Sequence, residues 1–162
     1  MKINTSIDWE GKVYKIEYED MDDFSSLSME LCTQVYGVCF IGNEMVVVRN
    51  GLRNTWGLPG GSIEKGETIE QTFKREMKEE ANVEVLKWVP IGVQGVRSSD
   101  NHLTYQLRVC ALVKEIGDFV SDSGGNVVER KLINPADYKK YFDWGKVADR
   151  IIERGLELKP KL

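Results

Sequence analysis

A chain of 162 residues, 41 % hydrophobic and 30 % charged, is long enough to close one core unaided and has the balance of a globular protein rather than a disordered or membrane one. Its net charge of −4 opposes general nucleic-acid binding, which asks for a basic face, while leaving room for a basic pocket. No run approaches the roughly 18 apolar residues of a membrane span, and Met1 to Trp9 lacks the layout of a signal peptide; a single cytoplasmic domain over residues 1–162 is the expectation.

Tyr14, Ile16 and Tyr18 alternate with polar residues and read as a strand of an N-terminal hairpin turning at Gly11. An acidic, serine-rich connector, Asp20 to Ser28, completes residues 1–30. Leu31 to Ile41 is almost continuously apolar, Gly42-Asn43 makes a turn, and Met45 to Arg49 follows, which predicts a hairpin whose first strand is buried on both faces. After the loop Trp56-Gly57-Leu58-Pro59-Gly60-Gly61, a helix starts at Thr68, with Gln71 placed to complete a capping box. It ends near Ala81, where Asn82 tolerates a left-handed cap. Val83 to Val96, Leu103 to Val113 and Val127 to Ile133 are strand candidates, the last two separated by the polar loop Ser121-Asp122-Ser123-Gly124-Gly125. Asp143 to Arg154 reads as a closing helix stopped by Gly155. Strands on both sides of a central helix, with a second helix at the end, predict an α/β domain with a mixed sheet between helical layers. Cys32, Cys39 and Cys110, set in apolar surroundings, read as core residues rather than a disulfide frame or a zinc site.

The helix from Thr68 carries an anomaly. At about 100° per residue Ile69, Phe73 and Met77 form its inner stripe, yet Glu76 and Glu80 project into that stripe and Glu79 lies at its edge. A solvated charged face is the ordinary reading of a glutamate-rich helix, but here the inner face would hold carboxylates whose desolvation costs several kcal/mol. Arg75, one turn before Glu79, offsets one charge but faces the wrong way to serve all three. A hard divalent cation is the economical answer, because Mg²⁺ takes carboxylate oxygens and bridges them to phosphates. Pro59-Gly60-Gly61 just upstream brings backbone close enough to join such a site.

Gly61, five residues, Glu67, seven residues, Arg75-Glu76-Met77, one residue, Glu79-Glu80, one residue, Asn82-Val83 resembles the Nudix box at every spacing. The one departure is Asn82 where the family has glycine, a tolerable exchange at a left-handed position. The box covers about a seventh of the chain. The resemblance implies an α/β/α sandwich and a divalent-metal hydrolase, using Mg²⁺ with Mn²⁺ as the alternative, that cleaves a phosphoanhydride bond in a nucleoside diphosphate derivative. It implies Glu76, Glu79, Glu80 and the Gly60 carbonyl as metal ligands, with Arg75 orienting the carboxylates through Glu67. The general base is Glu76 or, as the second candidate, Asp122, whose plainer role is a turn former.

Outside the box the sequence leans towards a nucleoside triphosphate pyrophosphatase, with damaged nucleotides among its candidate substrates and ADP-ribose or nucleotide sugars as alternatives. Tyr36, Phe40 and Tyr105 are candidates to stack on a base, and Arg49, Arg53 and Arg97 to hold phosphates, though aromatic strand residues more often belong to a core. A non-catalytic nucleotide-sensing domain is disfavoured because all the box carboxylates are present. A homodimer contact through Tyr14 to Ser28 is compatible with catalysis.

Overall fold

The computed structural model describes residues 1–162. The chain forms β1 (Lys2–Trp9), β2 (Lys12–Asp20), β3 (Cys32–Ile41), β4 (Glu44–Asn50), β5 (Thr55–Gly57), β6 (Gly60–Ser62), α1 (Ile69–Ala81), β7 (Val83–Arg97), β8 (Leu103–Glu115), β9 (Val127–Ile133) and α2 (Lys146–Leu158), with 3-10 turns at Met29–Leu31, Pro135–Lys140 and Lys159–Lys161. The expected strands and the central helix are all present. At the start of α1 the Thr68 hydroxyl accepts from Gln71 N at 3.1 Å while the Gln71 side chain accepts from Thr68 N at 2.9 Å. At its end Asn82 takes the left-handed conformation, with φ +50°.

The strands lie in the order β1-β2-β7-β8-β3-β4-β5, with β3 and β8 parallel and the other neighbours antiparallel, so the sheet is mixed. It is also forked. β3 and β4 pair only at Phe40 with Met45 and Ile41 with Glu44, next to their turn. Beyond that point β3 runs between β8 and β6, and β4 between β5 and β9. The gap between the two half-sheets admits β6.

Each face is covered by one helix. On one side Phe73, Met77 and Ala81 of α1 pack with Val35, Cys39 and Leu107. On the other, Val147, Ile151 and Ile152 of α2 pack with Val38, Phe40 and Cys110. β3 therefore buries both faces, as its apolar run requires, and the three cysteines are free and buried. The acidic connector is tied to α2: Asp20 meets Arg150 at 2.7 Å, and Asp22 pairs with Arg154.

The closing helix differs from expectation. It starts at Lys146 because Asp143 Oδ1 accepts from Gly145 N at 2.8 Å and makes a turn there. It also runs through Gly155 instead of stopping at it. A Cβ on Gly155 would sit 2.8 Å from Val38 Cγ1, so the glycine sets how closely α2 lies on β3. Gly155→Val is expected to destabilise the protein by about 1–3 kcal/mol through overpacking, a fall in Tm of roughly 2–12 °C for a chain of this size. An unchanged melting curve would show that α2 has room to spare at Val38.

Candidate active site at the fork of the sheet

The carboxylates of α1 enter the fork beside β6, and two glycines make this approach possible. Gly60 has φ +151°, and a Cβ there would lie 2.1 Å from the Val35 carbonyl oxygen. A Cβ on Gly61 would lie 2.5 Å from Glu76 Oε1. The Glu76 carboxylate thus rests directly on the β6 backbone, buried at 8 % exposure. Glu80 reaches the same strand, its Oε2 accepting from Gly60 N at 2.9 Å.

Arg75 serves more carboxylates than its position on the helix suggests. Its guanidinium donates to both oxygens of Glu67 at 2.9 Å, to Glu76 Oε1 at 2.8 Å, to Glu79 Oε2 at 3.3 Å and to the Ser62 carbonyl at 3.0 Å. It serves two of the three acids where one was expected, because the long stem lets a forked donor bend back over its own turn, and as expected it does not serve all three. Only Glu80 is left to a backbone N–H.

The charges respond accordingly. Glu80 is pushed up to about 8, first by burial, with the Gly60 N–H opposing it and with repulsion from Glu76, Asp122 and Glu79 adding to it. Glu76 is also raised, by burial ahead of the opposing Arg75 and with repulsion from Glu79 and Asp122. Glu67, hydrogen-bonded to Arg75, is lowered to about 2. All the candidate donors are oxygens, the chemistry a hard divalent cation takes, and their mutual repulsion is what such a cation relieves. The side chains do not form a closed cage: no three acids stand together in ligating geometry. A cation entering here competes with Arg75 for the oxygens of Glu76 and Glu79.

The loop between β8 and β9 lies over this cluster. A Cβ on Gly124 would be 3.4 Å from Glu79 Oε2. Asp122 is close enough to repel Glu76 and Glu80, but its oxygens accept from Gly124 N at 3.1 Å and Val127 N at 3.3 Å, which folds the loop.

The other expected residues scatter. Tyr36 lies at the site, half-buried, its ring beside Gly60. Arg53, in the turn between β4 and β5, stacks over Trp9 at 4.4 Å and is felt electrostatically at Tyr36. Arg49 is paired with Glu129 at 2.9 Å. Phe40 is fully buried and offers no face to a ligand. Arg97 and Tyr105 line a different cavity of about 410 Å³, together with Met21, Leu27 and Val93 of the α1-side core. Sequence reasoning missed Arg108, buried beside Tyr36 with Gln94 and Gln106 as partners. The available signal was a polar trio at inward positions of β7 and β8, where neighbouring residues are apolar.

The NUDIX domain family model matches residues 33–154. A variant of the Bacillus subtilis pyrophosphohydrolase BsRppH is similar with a TM-score of 0.71 at 16 % identity, over 94 % of this chain and 96 % of that one. A NUDIX hydrolase from Nitrosomonas europaea gives 0.63 at 18 %, over 76 % and 87 %. A structure described as an ADP compounds hydrolase gives 0.59 at 13 %, over 98 % and 95 %. At such identities these likenesses speak for the fold alone. None of the curated proteins compared with the chain matches it. The family match spans most of the chain and contains the loop, helix and carboxylates just described: the chain belongs to the Nudix family and is a hydrolase of pyrophosphate linkages.

Proposed function

We propose that this enzyme is a Mg²⁺-dependent nucleoside triphosphate pyrophosphohydrolase, with Mn²⁺ able to replace Mg²⁺. The observation that carries the reading is the burial of Glu76 and Glu80 together against the glycine backbone of β6, with Arg75 reaching only one of them. Glu76, Glu79, Glu80 and the Gly60 carbonyl are the proposed ligands. When bound, the cation screens the phosphate oxygens and makes the attacking water more acidic.

The chain's own groups do the rest. Glu67 holds Arg75 by two parallel hydrogen bonds, and Arg75 in turn fixes Glu76 and Glu79 in orientation. Glu76 Oε1 is taken by Arg75 while Oε2 has no hydrogen-bond partner, so Oε2 is the atom proposed to receive the water's proton. Burial raises its affinity for a proton, which favours that role. Asp122, with each oxygen engaged by a backbone amide, is assigned to holding its loop. Tyr36 is proposed to stack on the base and Arg53 to receive phosphate, while Arg97 lies beyond this set on the α1 face. A cytoplasmic location, where such nucleotides are made and used, goes with this reading.

The test is a panel of nucleoside triphosphates, ADP-ribose, nucleotide sugars, dinucleoside polyphosphates and capped RNA, with Mg²⁺ and product identification. Nucleoside triphosphates are expected to turn over fastest, and no turnover across the panel would sink the proposal. Glu79→Gln is expected to cost at least about 100-fold in kcat. Arg75→Lys, which keeps the charge and loses the fork, is expected to cost about 10–100-fold, as for other residues that orient metal ligands. Wild-type turnover by Glu79→Gln would remove that residue from the site.

Stability should move the opposite way. A carboxyl raised from its ordinary value to about 8 keeps a proton in the folded state that the unfolded chain has released, so folding stability falls as pH rises between about 4.5 and 8. Glu80→Gln removes this linkage while keeping an acceptor for Gly60 N. In chelator the variant is expected to match wild type near pH 5 and to exceed it by about 1–3 kcal/mol at pH 8, read from denaturant midpoints. Parallel pH profiles would mean that Glu80 is ionised at no cost.

A further inference from the structure

Of the two buried arginines, Arg150 is paired with acids and Arg108 is the one whose hydrogen-bond partners include none. It is 4 % exposed, its Nε has no partner, and its Nη2 donates to Gln94 Oε1 at 3.1 Å and Gln106 Oε1 at 2.9 Å. Its guanidinium carbon lies 5.0 Å from the centre of the Tyr36 ring. β-Pairing sets this group: Gln94 is opposite Gln106 on β7 and β8, and Tyr36 is opposite Arg108 on β3 and β8. Burying a cation without an anion costs several kcal/mol, so its effect on its neighbours is the place to look for a reason.

Arginine only donates. Both glutamines must therefore turn their carbonyl oxygens towards it, and Gln94 Nε2 is spent on Gln106 Oε1 at 3.2 Å. Gln106 Nε2 is left with no partner, and it is not among the buried unsatisfied atoms, so it reaches the surface. The pair thus keeps one unpartnered donor, Gln106 Nε2, with both carbonyl oxygens engaged by Arg108. Beside them stands Tyr36, whose ring abuts Gly60, and Gly60 N holds Glu80. A nucleotide with its phosphates at the carboxylates would pass the Tyr36 ring on the way to this donor.

We propose that Arg108 is a positioning residue that locks the Gln94–Gln106 pair with Gln106 Nε2 as its outward donor beside Tyr36, making the site favour 6-oxopurine over adenine nucleotides. Guanine and hypoxanthine offer the O6 acceptor to such a donor, whereas adenine has the N6 donor in its place, which meets a donor. The proposal rests on the reading that phosphates bind at Glu76, Glu79 and Glu80, and it is tested apart from turnover.

The experiment is calorimetric binding of GMP, IMP and AMP, which hold no phosphoanhydride bond to cleave, to the full chain with Mg²⁺, for wild type, Arg108→Met and Gln106→Glu. Wild type is expected to bind GMP and IMP alike and AMP about tenfold or more weakly. Arg108→Met frees the amides to flip and is expected to bring the three ligands within about threefold of one another, the tenfold base discrimination being lost. Gln106→Glu keeps the shape, pairs with Arg108 and replaces the outward donor by an acceptor, so it is expected to abolish or reverse the preference for GMP and IMP over AMP even if Arg108→Met fails to fold. A merely structural role would weaken all three ligands together and leave their ratio intact. No preference in wild type, or a preference that survives Gln106→Glu, overturns the proposal. Base preference without hydrolysis in the panel above would sink the catalytic reading alone; hydrolysis without base preference would sink this one alone.

Discussion

Glu76 and Glu80 are held out of water against the backbone of β6, where burial raises the proton affinity of both and the charge of Glu76 adds to the effect on Glu80. Like charges in that position are costly, and the local structure reads as the set of conditions for keeping them there. The capping box fixes where α1 begins and the left-handed Asn82 where it ends, so the helix can neither slide nor fray at the turns that carry the acids. Phe73 and Met77, fully buried on the same helix, anchor it to the sheet. Gly61 lacks the Cβ that would push the Glu76 carboxylate away, and Gly60 lacks the one that would strike β3 and hold β6 off it. Arg75, clamped by Glu67, supplies part of the neutralising charge from the exposed side, leaving the inner side to an ion.

The fork connects this cluster to the rest of the molecule. Had β3 and β4 stayed paired along their length, the sheet would have separated α1 from the α2 face, and acids on one side would have had no route to a pocket on the other. Because the strands pair at only two residues, β6 passes between the half-sheets with α1 acids on one side and Tyr36 on the other. The N-terminal hairpin completes the enclosure: Trp9, near its tip, reaches Arg53 in the turn between β4 and β5. Its base is tied to α2 through Asp20 and Arg150. The hairpin is thereby an edge of the sheet that also touches, through Trp9, the turn carrying Arg53.

What could be read from the sequence was what local chemistry decides. Thr68, Gln71 and Asn82 announce the ends of α1, and Glu76 and Glu80 break its apolar stripe in a way no buried helix does without reason. The alternation in β2 and the double-sided apolar run of β3 were equally plain. What could not be read depended on neighbours brought from far along the chain. Gly155 looks like a stop because a helix gives little reason for an internal glycine, and only Val38 pressing on it supplies one. The reach of Arg75 depends on a side-chain path that spacing does not specify. The fork itself is invisible, since β3 shows one continuous apolar pattern whether its partner is β4 or β6.

Arg75 and Arg108 are two solutions to placing a cation near the same site. Arg75 is surrounded by carboxylates, which hold its proton more firmly than usual, and its charge is consumed in orienting them. Arg108 has only amides and an aromatic ring, and burial lowers it to about 10, which still leaves it charged at neutral pH. Its field is not cancelled by a partner, so it extends to the Tyr36 side of the fork. The site is thereby polarised, negative where α1 enters and positive beneath the half-buried ring, within one low-dielectric wall. A molecule matched to that polarity carries a cation-bridged polyphosphate at one end and an acceptor-rich planar group at the other. This makes Tyr36, lying between the two fields, the residue on which both halves of such a ligand must agree.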